Sequence, residues 1–459
     1  MRLPQASTSP TSRAASSLPA GRALLLCTLL WLLIFTYGKL FLWRDPHSAY
    51  FSSDGVYDLD YSAARQRQAR EYIQRVERDV VGDTSFEEDG RKRKQYQKTG
   101  DTPALCAAFV TVRRKGEQAR WYMQDALGSM LAELDVRERG TLNVSLLFSN
   151  MDPARHPDWD APVGEEWKGR LQKAEEERDL QLKGVFDYLY VLERCLEETS
   201  APFVAVFEDD VVFAADWMAR TMRGLQYLVK DYKPAEGEKD WLYMRLFYTE
   251  THMGWSAEGD WWYNHLPLTL LMGAVGAAAV LVALRLVGCG KFLWLDWASI
   301  ALVSLVMAPA FVVLMFMAGK HNLPVPGFSL HHNVPLSSTG GVVPMDKNGC
   351  CTQALVFNRP ALPKLIEYLR KRERGQTDSM IEDYCGENGV KRFALREQAV
   401  QHVGLVSSRG MRAIDAQSVW AFWFEANRPA EVEKRHRQTV EDVDWDMFNK
   451  LASPGSPGV

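Results

Sequence analysis

An excess of charge of either sign is missing from this chain: 54 Lys and Arg stand against 58 Asp and Glu over 459 residues, a net charge of -4. That balance, with a pI near 6.2, excludes the basic footprint of a nucleic-acid partner. Acidic residues are absent before the first apolar segment, where Arg2, Arg13 and Arg22 are the only charges. No small-x-small cleavage site follows that segment, so it reads as a retained anchor and not as a cleaved signal peptide. The interiors of the apolar segments carry no charge, which argues against a transport pathway. Cysteine is scarce, with seven residues in all.

Mean hydropathy is -0.23, an average that hides three apolar runs. Residues 23–43 are long enough to cross the ~30 Å hydrocarbon layer as a helix. Residues 266–318 hold two further runs, LPLTLLMGAVGAAAVLVALRLV and FLWLDWASIALVSLVMAPAFVVLMFMA, joined by Gly288-Cys289-Gly290-Lys291. The positive-inside rule leaves the N-terminus in the cytosol, and Arg285 and Lys291 place the hairpin turn there too. With three crossings, residues 44–265 and 319–459 share the lumenal side and form two halves of one folded domain. Trp255, Trp261, Trp262 and Tyr263 before the second span, and Trp294 and Trp297 at the third, read as an interfacial aromatic belt. Asp296 lies close enough to the span end to reach water.

The expected organisation is a cytosolic tail (1–22), an anchor (23–43), a charged lumenal stem (44–103), a first half-domain (104–265), the membrane hairpin (266–318), a second half-domain (319–435) and a C-terminal tail (436–459). Within the stem, residues 62–98 read as a solvated helix and loop. LCAAFVTVRR, a helical stretch, then LNVSLLFSN form a βαβ pattern, and PFVAVFEDDVVF is a further strand. The alternation argues for a mostly parallel sheet with ligands at the carboxyl ends of its strands. Asn143 heads an Asn-Val-Ser sequon inside a strand. Of the cysteines outside the anchor and the turn, Cys106 reads as a buried thiol, and Cys195 and Cys385 are expected to bridge to the Cys350–Cys351 pair.

Glu208, Asp209 and Asp210 follow six apolar strand residues. Three adjacent carboxylates suit a hard divalent cation, which could bridge a sugar-nucleotide diphosphate; an acidic turn capping the strand is the plainer alternative. QHVGLVSSRG offers His402 as a borderline ligand and Ser407-Ser408 as phosphate-oxygen donors.

FEDD in this setting, GCCTQALVF, TDSMIED, QHVGLVSS and the mid-chain hairpin together resemble the Golgi GPI-glycan N-acetylgalactosamine transferases, which have three spans and a split GT-A domain. EDD with HxGxxSS is also similar to the N-glycan branching N-acetylglucosaminyltransferases of type IV. The resemblance implies an α/β GT-A fold interrupted by the hairpin, with Asp210 and His402 as ligands of Mn2+ or another divalent cation. Glu208, Asp209, Ser407 and Ser408 would contact the donor. Thr111, Val112 and Arg113 would stand at the uracil-contacting strand end, with Asn150 to Asp152 at the next. Asp378 would be the catalytic base of an inverting transfer, its plainer role being a helix N-cap, with Glu382 and Asp383 as the fallback base. The implied reaction moves GalNAc from UDP-GalNAc to the mannose core of GPI anchors at the Golgi membrane. The competing expectations are transfer to an N-glycan and a non-catalytic scaffold.

Overall fold

The computed structural model describes residues 18–81, 103–114, 118–149, 172–173, 180–234, 236, 239–250, 255, 260–287, 296–323, 340–345, 351–406 and 419–453. They group into two compact units, Met1–Asp54 with Met253–Asn333, and Gly55–His252 with Val334–Val459.

The first unit holds three helices long and apolar enough to cross a membrane: α1 (Leu18–Phe41), and two that are numbered below as α7 and α8. Its apolar side chains face outward, Leu286 at 73% and Leu305 at 70% exposure, as lipid-facing surface requires. Trp31 Nε1 donates to the Ala310 carbonyl at 3.1 Å. After α1 the chain doubles back, and Gly38 makes this possible: a Cβ there would lie 2.4 Å from the Tyr50 ring. Ala49 N then donates to Met317 O at 2.8 Å, Asn322 bonds Asp45 and Lys320 pairs with Asp260 at 3.1 Å. Asp296 caps the third span by accepting from Ser299 N at 2.9 Å, which assigns that carboxylate a local role. Trp261, Trp262 and Tyr263 are exposed at one span end and Trp297 at another, as an aromatic belt requires; Trp294 and the hairpin turn lie outside the described residues.

The second unit is α/β. In chain order it contains α2 (Asp60–Val81), β1 (Leu105–Thr111), α3 (Tyr122–Leu131), α4 (Val136–Thr141), β2 (Leu142–Phe148), β3 (Gln172–Lys173), α5 (Leu180–Glu198), β4 (Phe203–Glu208), β5 (Val211–Phe213), α6 (Trp217–Lys230) and β6 (Trp241–Arg245). The membrane helices α7 (Leu266–Val287) and α8 (Trp297–Ala318) intervene, α8 with a π-helical turn at Val303–Met307. The chain resumes with β7 (Val342–Pro344), β8 (Ala354–Asn358), α9 (Leu362–Arg372), α10 (Thr377–Asn388), β9 (Lys391–Leu395), β10 (Val400–His402), α11 (Pro429–Asp442) and α12 (Trp445–Ala452).

The main sheet has the order β3-β2-β1-β4-β8-β6-β9-β7. Strands β1 to β4, β6 and β9 run one way; β8 and β7 oppose them. Both faces are covered, so the strands read as continuous apolar runs. Phe203, Ala205 and Phe207 of β4 enter one core, against α3, α6 and α12, while Val204 and Val206 enter the other, against α5, α9 and α10. β8, which follows the membrane helices in sequence, pairs with β4 on one side and β6 on the other. A strand from after the insertion is therefore seated between two from before it. The segments that flank the insertion in sequence therefore fold as parts of one sheet.

Several expectations are corrected. Cys106 is not a free thiol: it is bonded to Cys195, 89 positions away. Side chains of Val185, Tyr188, Leu192 and Cys195 share the buried stripe of α5, which covers the β1 face carrying Cys106. A loop of that length is worth about 4.5 kcal/mol in the chain-entropy account. Cys385 is free and buried, and burial pushes its thiol up to about 11. Cys351 is disulfide-bonded, but Cys350 lies outside the described residues. The stem helix is not merely solvated, because Tyr61, Arg65, Ala69 and Ile73 of α2 are buried. Its first-turn amides, on Tyr61 and Ser62, both donate to the Glu425 carboxylate at 3.0 Å, a cap supplied from far along the chain. Residues 436–452 are not a tail: α11 and α12 continue the fold and bury Val440, Trp445 and Phe448.

Candidate functional site

Glu208 ends β4, and Asp209 and Asp210 form the turn into β5. Beneath them Phe109, Phe207, Phe213 and Trp217 pack ring against ring, with centroids 5.0 to 5.3 Å apart for the closest pairs. Such contacts add about 0.5–1.5 kcal/mol each beyond burial and hold the strand end rigid. β5 pairs antiparallel with β10, setting His402 opposite Val211. That register carries His402 Nε2 to 3.4 Å from Asp210 Oδ2, and Val403 N donates to the Asp210 carbonyl at 2.9 Å. His402 Nδ1 lies 3.2 Å from Val419 O; in the neutral ring with Nδ1–H donating to that carbonyl, the Nε2 lone pair faces Asp210.

The next residues must pass close by, and Gly404 permits it. A Cβ there would lie 2.2 Å from Asp210 Oδ2 and 2.8 Å from His402 Nε2. Tyr122 Oη then accepts from Leu405 N and Val406 N at 3.1 and 3.2 Å, tying the segment down.

Each carboxylate of the triplet has different company. Asp209 accepts from Thr111 Oγ1 at 2.6 Å and Val112 N at 3.3 Å, which locks it to the end of β1. Glu208 accepts from Thr352 Oγ1 at 2.8 Å. Asp210 keeps one oxygen, Oδ1, buried without a hydrogen-bond partner among the described residues. Arg114 spans the last two, with Nη1 on Asp209 and Nη2 3.0 Å from Asp210 Oδ2. Burial would raise the Asp210 pKa, but the Arg114 and His402 charges outweigh it and hold the carboxyl below its usual range. Burial raises Glu208, and Asp210 raises it further. Burial would lower His402, yet Asp210 draws it above its ordinary value.

Asp378 lies in the first turn of α10 but is not its N-cap, a position held by Gln376. Its carboxylate accepts from Ser379 N at 2.8 Å and Cys351 N at 3.3 Å. The dipeptide Cys351-Thr352 thus joins Asp378 to Glu208, with Cys351 in a left-handed backbone conformation at φ 88°. The fallback bases are otherwise engaged. Glu382 pairs with Arg245 at 2.9 Å and Arg392 at 3.1 Å and accepts the Tyr243 hydroxyl; Asp383 pairs with Arg372 at 3.0 Å.

Thr111, Val112, Glu208, Asp209, Asp210 and His402 are therefore brought together, and Asp378 is linked to them through one dipeptide. Arg113 is exposed beside the cluster, whereas its neighbour Arg114 enters it. Asp152, Ser407 and Ser408 lie outside the described residues. Sequence reasoning missed Arg114, Tyr122, Gly404 and Thr352. Arg114 sits one residue past a strand end already singled out, and Thr352 lies within GCCTQ, so both had a local signal.

Among the described residues no group of three or more His, Cys, Asp or Glu side chains is placed to hold a cation. Asp210 and His402 alone suit one: a carboxylate with an orphaned buried oxygen beside an imidazole whose other nitrogen faces a carbonyl. Such a pair could supply two ligands and would leave the remaining positions to solvent or substrate.

The sequence model of the family described as GPI-N-acetylgalactosamine transferase PGAP4 matches residues 105–401. That span runs from the first residue of β1 to the middle of β10 and includes the described site residues except His402 and the Val403–Val406 segment, which follow it directly. A comparison with curated proteins found no match.

Proposed function

Because the chain belongs to the GPI-N-acetylgalactosamine transferase family, we propose that this glycosyltransferase moves GalNAc from UDP-GalNAc to the mannose core of GPI anchors, with inversion, in the Golgi lumen. Asp378 is the base in this reading. It takes the proton of the acceptor hydroxyl as that oxygen bonds to the anomeric carbon, and the bond to the diphosphate breaks with its electron pair leaving on UDP. Its half-buried place in the first turn of a helix leaves the carboxylate reachable by an acceptor, while two backbone amides fix its direction.

The donor lies at the carboxyl ends of β1 and β4, with Thr111, Val112 and Arg113 toward the uracil and Glu208 and Asp209 toward the ribose and sugar. Asp210 and His402 would hold a divalent cation, Mn2+ by preference, which supplies positive charge to the departing diphosphate. Arg114 brings a permanent charge to the same place. The membrane helices confine the enzyme to the surface that carries its lipid-linked acceptor, raising their mutual effective concentration.

The observation that carries this reading is the meeting of Asp210 and His402, at 3.4 Å, from opposite sides of the membrane insertion. The test is mass spectrometry of GPI glycans from cells lacking the chain and complemented with wild type, Asp210→Ala or Asp378→Asn. The hexosamine side branch should return only with wild type, the Asn variant retaining about 10⁻² to 10⁻⁴ of the rate. A side branch present at wild-type level in both variants would refute the assignment.

A further inference from the structure

The Arg114 side chain is only 7% exposed and its guanidinium is forked across two different carboxylates. Its carbon lies 5.3 Å from the centre of the Tyr122 ring, so the arginine is held from behind as well as in front. The two carboxylates do not depend on it equally. Asp209 retains Thr111 Oγ1 and Val112 N without Arg114. Among the described residues Asp210 then keeps only His402 as a charged or hydrogen-bonding side-chain neighbour, and its Oδ1 has no hydrogen-bond partner. Arg114 Nη2 therefore sits on the same oxygen, Oδ2, that faces the imidazole, at the point a cation held by Asp210 and His402 has to share.

We propose that Arg114 is a resident countercharge that competes with a divalent cation for Asp210, so that the nucleotide-free site binds metal weakly and gains it together with a diphosphate. A guanidinium fork suits phosphate oxygens as well as it suits carboxylates. When a diphosphate enters, Arg114 can transfer one arm to it and release Asp210 Oδ2. Anion and cation then bind with positive coupling, each lowering the cost of the other. The inference rests on the transferase reading only for the identity of the anion.

The test uses the full-length protein in lipid nanodiscs, with free Mn2+ followed by its electron paramagnetic resonance signal, with and without UDP. Removing a unit charge next to the ligand oxygen should tighten Mn2+ binding to nucleotide-free protein at least about tenfold in Arg114→Gln. UDP should strengthen Mn2+ binding in wild type and much less in the variant. Arg114→Lys guards against a folding failure, because it retains the charge but cannot fork; it should fall between the two, with thermal unfolding recorded for all three. Equal Mn2+ affinity in wild type and both variants, or no Mn2+ binding by any of them, would overturn the proposal. Transfer activity is not read in this experiment. A protein that transfers no sugar yet gains Mn2+ affinity on losing Arg114 would sink the functional assignment and leave this inference standing.

Discussion

Arg245→Met probes how the second unit holds its proposed base. Arg245 has no exposed surface. Its Nη2 lies 2.9 Å from Glu382 Oε1, its Nη1 donates to the Cys351 carbonyl, and its Nε lies 3.4 Å from Tyr243 Oη. Methionine fills much of the volume but leaves Glu382 with Arg392, at 3.1 Å, as its one cation among the described residues. Removing one partner of a buried ion pair costs roughly 3–5 kcal/mol. Arg392 remains on the other oxygen, so the lower end, about 3 kcal/mol, is expected. The Cys351 carbonyl loses its donor too, and Cys351 N is what Asp378 accepts from. Freed to move, the proposed base should drift, lowering kcat roughly 10- to 100-fold with little change in the donor KM. The assay pairs urea unfolding in nanodiscs, followed by tryptophan fluorescence, with initial-rate kinetics. Arg245→Lys should recover part of the stability but not the rate, since an ammonium cannot reach both the carboxylate and the carbonyl. A stability loss under about 1 kcal/mol together with unchanged kcat would refute the reasoning.

Gly404→Ala places a methyl 2.2 Å from Asp210 Oδ2. Relief of that overlap should cost about 1–3 kcal/mol and should separate Asp210 from His402, read as lost transfer in a protein that still folds. His436 Nε2 lies 2.9 Å from Glu138 Oε2. Burial would lower the His436 pKa, but Glu138, with smaller help from Asp216 and Asp135, raises it above the ordinary value. A raised pKa stabilises the fold fully below the unfolded value near 6.5, and that contribution disappears as pH rises through the folded value. Unfolding midpoints should therefore fall as pH rises above about 6.5 in wild type, and His436→Gln should flatten that slope. An unchanged slope would mean the pair is not the source.

Local patterns in the sequence carried much of the architecture. The three apolar runs predict the three long helices, because a span needs only length and hydrophobicity. The run before Glu208 predicts β4, because a doubly covered strand is continuously apolar. The failures have physical causes as well. The charges of α2 hid a buried stripe of Tyr61, Arg65, Ala69 and Ile73, one residue per turn, with a long arginine counted as solvated although its guanidinium reaches the carbonyls of Phe213 and Ser129. Cys195 was assigned to the wrong partner because chain order says nothing about which strand face a helix covers.

What the sequence determined by itself is the inventory: three helices fit for a bilayer, an acidic strand end, a histidine just before a Gly- and Ser-containing stretch, and near neutrality of charge. These follow from burial and periodicity within a few residues of one another. Which distant pieces meet was decided by the tertiary structure alone. The seating of β8 between β4 and β6, the pairing of β10 with β5 that sets His402 against Asp210, and the entry of Arg114 instead of Arg113 all depend on register between segments far apart in the chain. A strand's side chains alternate faces, so a shift of one residue would send each to the opposite side. Packing of both cores against one sheet fixes that register, and no local pattern records it.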